Sequence, residues 1–172
     1  AFSLGRHMEE GNTVATRQLN MIRGEVERSD MILTELMGYA RLSEGRVEKI
    51  DMKEELQGAI EEAFPPNHAF HIQLKKDLHE GLPPLVMQRA HLREIMVNLL
   101  VNAREAAGEN GMVQVSCRPS PQYAIELRVK DSGEGIPPDQ REQIFEAYFT
   151  TKKKGTGLGL AIVKQNTELY GG

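Results

Sequence analysis

The sequence predicts an α+β domain in which helices cover a mixed, mostly antiparallel sheet, preceded by a separate helical segment. Three observations carry that expectation. Apolar residues recur at helical spacing over Thr16 to Leu42, Met52 to Phe64, His91 to Ala107 and Leu158 to Tyr170. They alternate over Phe70 to Leu78, Met112 to Arg118 and Tyr123 to Lys130, as strands with one buried face do. Clusters of Pro and Gly separate these stretches without a long βαβ series, so layered helices and antiparallel strands are expected.

At 172 residues the chain can bury one core and carry an appendage. A formal net charge of −4 argues against nonspecific affinity for nucleic acid or an anionic membrane surface. The single cysteine, Cys117, excludes an internal disulfide and fits a reducing compartment; in an alternating strand its role is packing. No stretch approaches the roughly 18 apolar residues of a membrane helix, and no signal peptide is visible. A soluble, cytoplasmic chain is expected, with any membrane anchor of the parent protein outside these residues.

In order, residues 1–13 carry no clear element. Leu19, Ile22, Val26, Leu33, Leu36 and Ala40 follow heptad-like spacing interrupted at Ser29, which describes a helix that needs a partner in a bundle or coiled-coil seam. Ser43 to Arg46 is a polar hinge. Val47 to Asp51 predicts a short strand and Met52 to Phe64 a helix with Leu56, Ile60 and Ala63 inward, stopped by Pro65-Pro66-Asn67. After the strand ending at Leu78, Pro83 to Met87 leads into the next helix, and Gly108 to Gly111 turns into a hairpin whose strands are joined by Pro119-Ser120-Pro121. Ile144, Phe145, Tyr148 and Phe149 predict a helical apolar patch with Phe145 in the core. His68, His71, His79 and His91 lack metal-ligand or triad spacing, so surface or capping roles are expected.

Three stretches carry chemistry. Asp131-Ser-Gly133-Glu-Gly135-Ile136-Pro137 follows a strand; its glycines allow positive φ and close approach to a flat ligand, while Asp131 offers an acceptor-only carboxylate to an exocyclic amine such as that of adenine. A plain Asp-Ser-Gly turn is the alternative. Gly155-Thr156-Gly157-Leu158-Gly159-Leu160 opens a helix, where N–H groups and the dipole attract phosphate, although many such loops bind nothing and the spacing is neither a Walker A nor a dinucleotide fingerprint. Glu94, Asn98 and Asn102 form one polar stripe at i, i+4, i+8 on an otherwise apolar helix. Two asparagines among apolar neighbours suggest a hard cation such as magnesium bridging nucleotide phosphates, against the alternative that they bond backbone or water.

Asn98-Leu-Leu-Val-Asn102-Ala, Asp131 to Pro137, Ile144-Phe145-Glu-Ala-Tyr-Phe149-Thr-Thr-Lys152 and Gly155 to Leu160 resemble, in order and spacing, the N, G1, F and G2 boxes of sensor histidine kinases. The short Thr-Thr-Lys lid is most similar to the nitrogen-regulation and sporulation types. The resemblance implies a two-layer sandwich of the Bergerat (GHKL) ATPase type over 47–172, lacking its last strands. It makes residues 1–46 a partial dimerisation and histidine-phosphotransfer segment, comprising the end of a first helix and the second. The implied cofactors are ATP and Mg²⁺, with Asn102 as metal ligand and catalytic residue; Glu94, a turn before Asn98 on the polar stripe, is a candidate catalytic assistant, with a plain surface Glu as the alternative. Nucleotide contacts carry over to Asn98, Asn102, Asp131, Gly133, Gly135 and Ile136 in the first half of the set. In the second half they carry over to Phe149, Lys152, Thr156, Gly157, Leu158, Gly159 and Leu160.

The implied reaction moves the ATP γ-phosphoryl group to a His on the dimerisation helix, for relay to an Asp of a response-regulator receiver domain. Partners are then that receiver and a second copy of the chain through the N-terminal segment, with no nucleic acid. His7 is followed by Met8 and has Asn12 where the acceptor box has Pro, so it is rejected as the acceptor. That His is expected before Ala1. The rivals are another GHKL-type ATPase or serine kinase, and a scaffold with a silent site. The heptad helix ending Tyr39-Ala40-Arg41-Leu42 speaks against the first, and intact Asn102, Asp131 and glycines against the second.

Overall fold

A computed structural model describes residues 14–26, 29, 33, 45–65, 71–152 and 155–172. The chain divides into two compact units, the first running to Arg41 and the second starting at Leu42, with the short segment at Lys152 grouped with the first. In the first unit, α1 is helical over residues 14–26, and residues 29 and 33 are helical as well. Its apolar positions Leu19, Ile22, Val26 and Leu33 are exposed. The Ser29 hydroxyl donates to the Glu25 carbonyl at 2.8 Å, so the residue that breaks the heptad bonds back onto its own helix. Leu36, Ala40, the Ser43 end of the hinge, His7, His68 and Phe70 lie outside the described residues.

The second unit is built from five strands and three helices among the described residues: β1 Val47–Ile50, α2 Met52–Ala63, β2 Gln73–Leu78, β3 Leu85–Gln88, α3 Arg89–Ala107, β4 Met112–Pro119, β5 Ile125–Asp131 and α4 Gly159–Leu169. The strands form two sheets. β1 pairs antiparallel with β3, and β4 lies between a parallel β2 and an antiparallel β5. The α+β class is as expected. Alternation sets the buried face: Val113, Val115 and Cys117 of β4 point under the helices, and Leu127 and Val129 of β5 share their rows. Met52, Leu56 and Ile60 of α2 and Leu92, Met96 and Leu100 of α3 complete this core.

Local chemistry places the helices. Asp51 caps α2, its Oδ1 accepting from Lys53 N at 2.8 Å and Glu54 N at 3.4 Å. Phe64 ends α2 before Pro65, and the Arg104 guanidinium of α3 donates to the Ala63 carbonyl there. Arg89, opening α3, pairs with Glu48 of β1 and with buried Glu55 of α2. Gly108 (φ 65°) and Asn110 (φ 61°) turn α3 into β4.

Five expectations are corrected. Leu85–Gln88 is a strand, β3, since Pro83-Pro84 hold the chain extended and β1 supplies its partner. The strand predicted from Phe70 begins at Gln73, where pairing with Met112 starts. The F-box stretch is not a helix: it makes 3₁₀ turns at Pro138–Gln140 and Gln143–Phe145, then extends at Glu146. Phe145 is 40% exposed rather than core, because two separate turns offer no continuous apolar face to bury. His91 is not at the surface: it is buried against Tyr170.

Candidate functional site

α3 is the spine of the site, and each glycine loop sits on it at a point where a side chain would not fit. At its C-terminal end, a Cβ on Gly133 would lie 2.5 Å from the Ala106 carbonyl oxygen and 2.9 Å from Asp131 Oδ1. Gly133 N donates to Asp131 Oδ1 at 2.8 Å, orienting the half-buried carboxylate at the end of β5. Ser132 fastens the loop to β4, donating N–H to the Met112 carbonyl (3.0 Å) and accepting at Oγ from Met112 N (2.9 Å). Gly135 has φ 79° with open space about it, and Ile136 beyond it is exposed.

Along the middle of α3, a Cβ on Gly159 would stand 2.7 Å from Asn98 Oδ1 and 3.7 Å from Asn102 Nδ2. The second glycine loop is therefore brought onto the asparagine stripe. Asn98 Nδ2 donates to the Glu94 carbonyl at 2.9 Å, leaving Oδ1 as the atom aimed at the start of α4. No side chain caps α4 from its N-cap, and Leu158 N donates to Thr156 Oγ1 at a long 3.4 Å. Such a helix start suits an anion. Leu158 itself is fully buried, so its side chain belongs to the core and only its backbone faces the loop. Thr156, Gly157 and Leu160 are half-buried.

The F-box stretch joins here through backbone. Tyr148 N donates to the Gly157 carbonyl at 3.0 Å, and a Cβ on Gly157 (φ 73°) would lie 2.7 Å from the Phe149 carbonyl oxygen. Tyr148 has a positive φ of 70°, unusual for an aromatic residue. Phe149 is half-buried and Lys152 is exposed.

Asn98, Asn102, Gly157, Gly159 and Phe149 are thus gathered around the start of α4, with Asp131 and Gly133 at the C-terminal end of α3. Glu94 takes a different partner: its Oε2 accepts from Asn166 Nδ2 of α4 at 2.8 Å. Asn166 is 7% exposed. Tyr170, just beyond α4, meets the start of α3, its hydroxyl accepting from Gln88 N at 3.1 Å and lying 2.8 Å from His91 Nδ1. Asn166, Tyr170 and His91 escaped the sequence argument; a polar pair at i, i+4 on one helix facing a polar pair at i, i+3 on another was the signal available.

Among the described residues no group of three or more His, Cys, Asp or Glu could hold a metal ion. The donors at the start of α4 are carboxamides, which suit a hard cation that brings most of its ligands as phosphate oxygens and water. The residues present fit that kind of ion and no self-sufficient metal centre.

Residues 87–172 match the family of histidine kinase-, DNA gyrase B- and HSP90-like ATPases. The sensor histidine kinase ZraS of Escherichia coli (strain K12) is 31% identical over 148 residues, 86% of this chain and 32% of that protein. The C4-dicarboxylate transport sensor protein DctB of Rhizobium meliloti (strain 1021) is 37% identical over 172 residues, 96% of this chain and 27% of that protein. The chain therefore spans about a third of the length of the curated relatives it matches. Among solved structures, full-length ShkA in complex with AMPPNP is 28% identical, with a TM-score of 0.69 over 80% of this chain and 30% of that one. Histidine kinase ThkA in complex with response regulator TrrA shares the fold, with a TM-score of 0.71 at 24% identity over 88% of this chain and 43% of that one. With two glycine loops seated on an asparagine-bearing helix and half of its length matched, the chain belongs to the histidine kinase-, DNA gyrase B- and HSP90-like ATPase family, in its sensor histidine kinase branch.

Proposed function

We propose that the second unit is the ATP-binding catalytic portion of a sensor histidine kinase. The observation that carries this is Gly159, whose missing side chain lets the start of α4 close on Asn98 and Asn102. Phosphoryl transfer asks the protein for positioning and charge neutralisation more than for covalent chemistry. Asp131 accepts the exocyclic N–H of adenine beside Gly133 and Gly135. Asn98 and Asn102 face the phosphates, whose negative charge is met by the N-terminal end of α4. Asn102 would hold Mg²⁺ beside the phosphates, and the ion would supply charge neutralisation there. Phe149, held through Gly157, closes over the nucleotide, with Lys152 as a further phosphate contact. The AMPPNP complex of ShkA supports an adenine nucleotide as the ligand.

Residues 1–46 are, on this reading, part of a dimerisation and histidine-phosphotransfer segment, and α1 pairs with a second copy through its exposed apolar positions. An imidazole nitrogen of the parent protein's acceptor His forms a bond to the γ-phosphorus as the bond to the β,γ-bridging oxygen breaks and ADP leaves. The phosphoryl group then passes to an Asp of a response-regulator receiver domain, in the cytoplasm. Among the described residues no helix is long and apolar enough to cross a membrane.

Calorimetric titration with AMPPNP, with and without Mg²⁺, tests the site. Binding that depends on Mg²⁺, is lost in Asp131→Asn and loses its metal dependence in Asn102→Ala is the expected result. A native protein that leaves AMPPNP unbound overturns the proposal.

A further inference from the structure

Two polar contacts tie α4 and the residue after it to α3, away from the start of α4. Near the C-terminal end of α4, the Tyr170 hydroxyl bonds Gln88 N and His91 Nδ1 at the start of α3. One turn nearer the site, Asn166 Nδ2 donates to Glu94 Oε2 at 2.8 Å. Two turns further towards the N-terminus of α4, Gly159 meets Asn98 and Asn102. The helices run antiparallel, so the contacts form successive rungs from His91 to Asn98 on one and from Tyr170 to Gly159 on the other.

The rungs lie among the buried apolar side chains of α4. Ala161, Ile162 and Val163 of α4 are buried, and burial of small apolar side chains is non-directional. A buried amide on a carboxylate is directional, and separating it leaves a polar group without its partner. We propose that the Glu94–Asn166 contact, seconded by Tyr170 on His91 and Gln88, fixes the axial register of α4 on α3 and thereby holds the phosphate-facing start of α4 against Asn98 and Asn102. Glu94 is then a positioning residue. Its carboxylate is engaged with α4 and acts on the reaction only through the placement of Gly159 and the following N–H groups. Asn98 belongs to the same arrangement, because its Nδ2 is held by the Glu94 carbonyl while its Oδ1 faces Gly159.

The inference rests on the ATP assignment above, and it predicts an effect confined to the phosphate end. Asp131 and its loop are seated on Ala106 and β4, away from the rungs. Adenine affinity is therefore expected to survive when the rungs are cut. The experiment compares AMPPNP·Mg²⁺, by calorimetry, with adenosine, by chemical-shift titration, on the native protein and on Asn166→Leu, Glu94→Leu, Glu94→Gln and the Asn166→Leu/Glu94→Leu double variant. The expected result is that each Leu variant loses AMPPNP affinity by about tenfold, the scale of a hydrogen bond to a charged group, while adenosine affinity stays within about twofold of native. The double variant falls no further than either single one, as for two halves of one contact. Glu94→Gln, which keeps an acceptor for Asn166, recovers most of the AMPPNP affinity.

Native AMPPNP affinity in Asn166→Leu overturns the register role. Equal losses of AMPPNP and adenosine affinity also overturn it, because they report general loosening of the domain. A Glu94→Gln variant as weak as Glu94→Leu overturns it in favour of a role for the charge itself. If the native protein binds neither ligand, the ATP assignment falls and this inference with it.

Discussion

At the scale of single residues, glycines decide how closely backbone approaches backbone. Gly157 adopts φ 73°, and its Cβ would press on the Phe149 carbonyl oxygen. Gly157→Ala pays for the left-handed conformation and the clash together, on the order of 2 kcal/mol. The expected outcome is a lower melting temperature with weakened AMPPNP binding; native values for both would show that the loop and the F-box stretch do not need this contact. Cys117, fully buried between core strands, is a second such residue: burial pushes its thiol up to about 11. The raised folded value means that the native state keeps its proton while the unfolded thiol, near 9, has lost it. The linked stability is intact below about pH 9 and falls between about pH 9 and 11, by on the order of 2 kcal/mol. Denaturant midpoints measured across that window should fall more steeply for the native protein than for Cys117→Ala, and Ellman's reagent should leave the folded thiol unmodified at pH 8.

At the scale of elements, charge and capping hold the helices to the strands. Glu55 is buried on α2 and is matched by Arg89 of α3, which also reaches Glu48 of β1. Arg89→Met strands the Glu55 carboxylate, and a loss of about 3 kcal/mol is expected from urea denaturation. Asp51→Ala removes the cap of α2 and should lower stability by about 1 kcal/mol. An Arg89→Met loss no larger than that of Asp51→Ala would show that Glu55 finds water or another partner when Arg89 is gone. α1 poses the opposite problem, since its apolar positions are exposed in the single chain. Ile22→Lys should abolish self-association in sedimentation experiments if this helix pairs with a second copy, and an unchanged sedimentation coefficient would move the interface elsewhere.

At the scale of the whole molecule, the second unit contains both glycine loops, the asparagine stripe and its own core. Removal of residues 1–41 should leave AMPPNP affinity within about twofold of native, within the error of independent sites. A larger loss would mean that the first unit contributes to the pocket. Much of this arrangement was legible from the chain alone. Alternation and helical periodicity are local consequences of burying one face, so the hairpin of Met112–Pro119 with Ile125–Asp131 and the helices at Met52, Arg89 and Gly159 follow from them. The box spacing identified the family, because loops that carry backbone against a ligand accept few residue types. Three things needed the tertiary structure. Leu85–Gln88 is too short to declare itself a strand until β1 pairs with it. Phe145 is apolar yet exposed, because burial depends on a neighbour and not on the side chain. The Glu94–Asn166 and His91–Tyr170 contacts join residues more than 70 positions apart in the chain, and no periodicity within one helix encodes which partner the other will present.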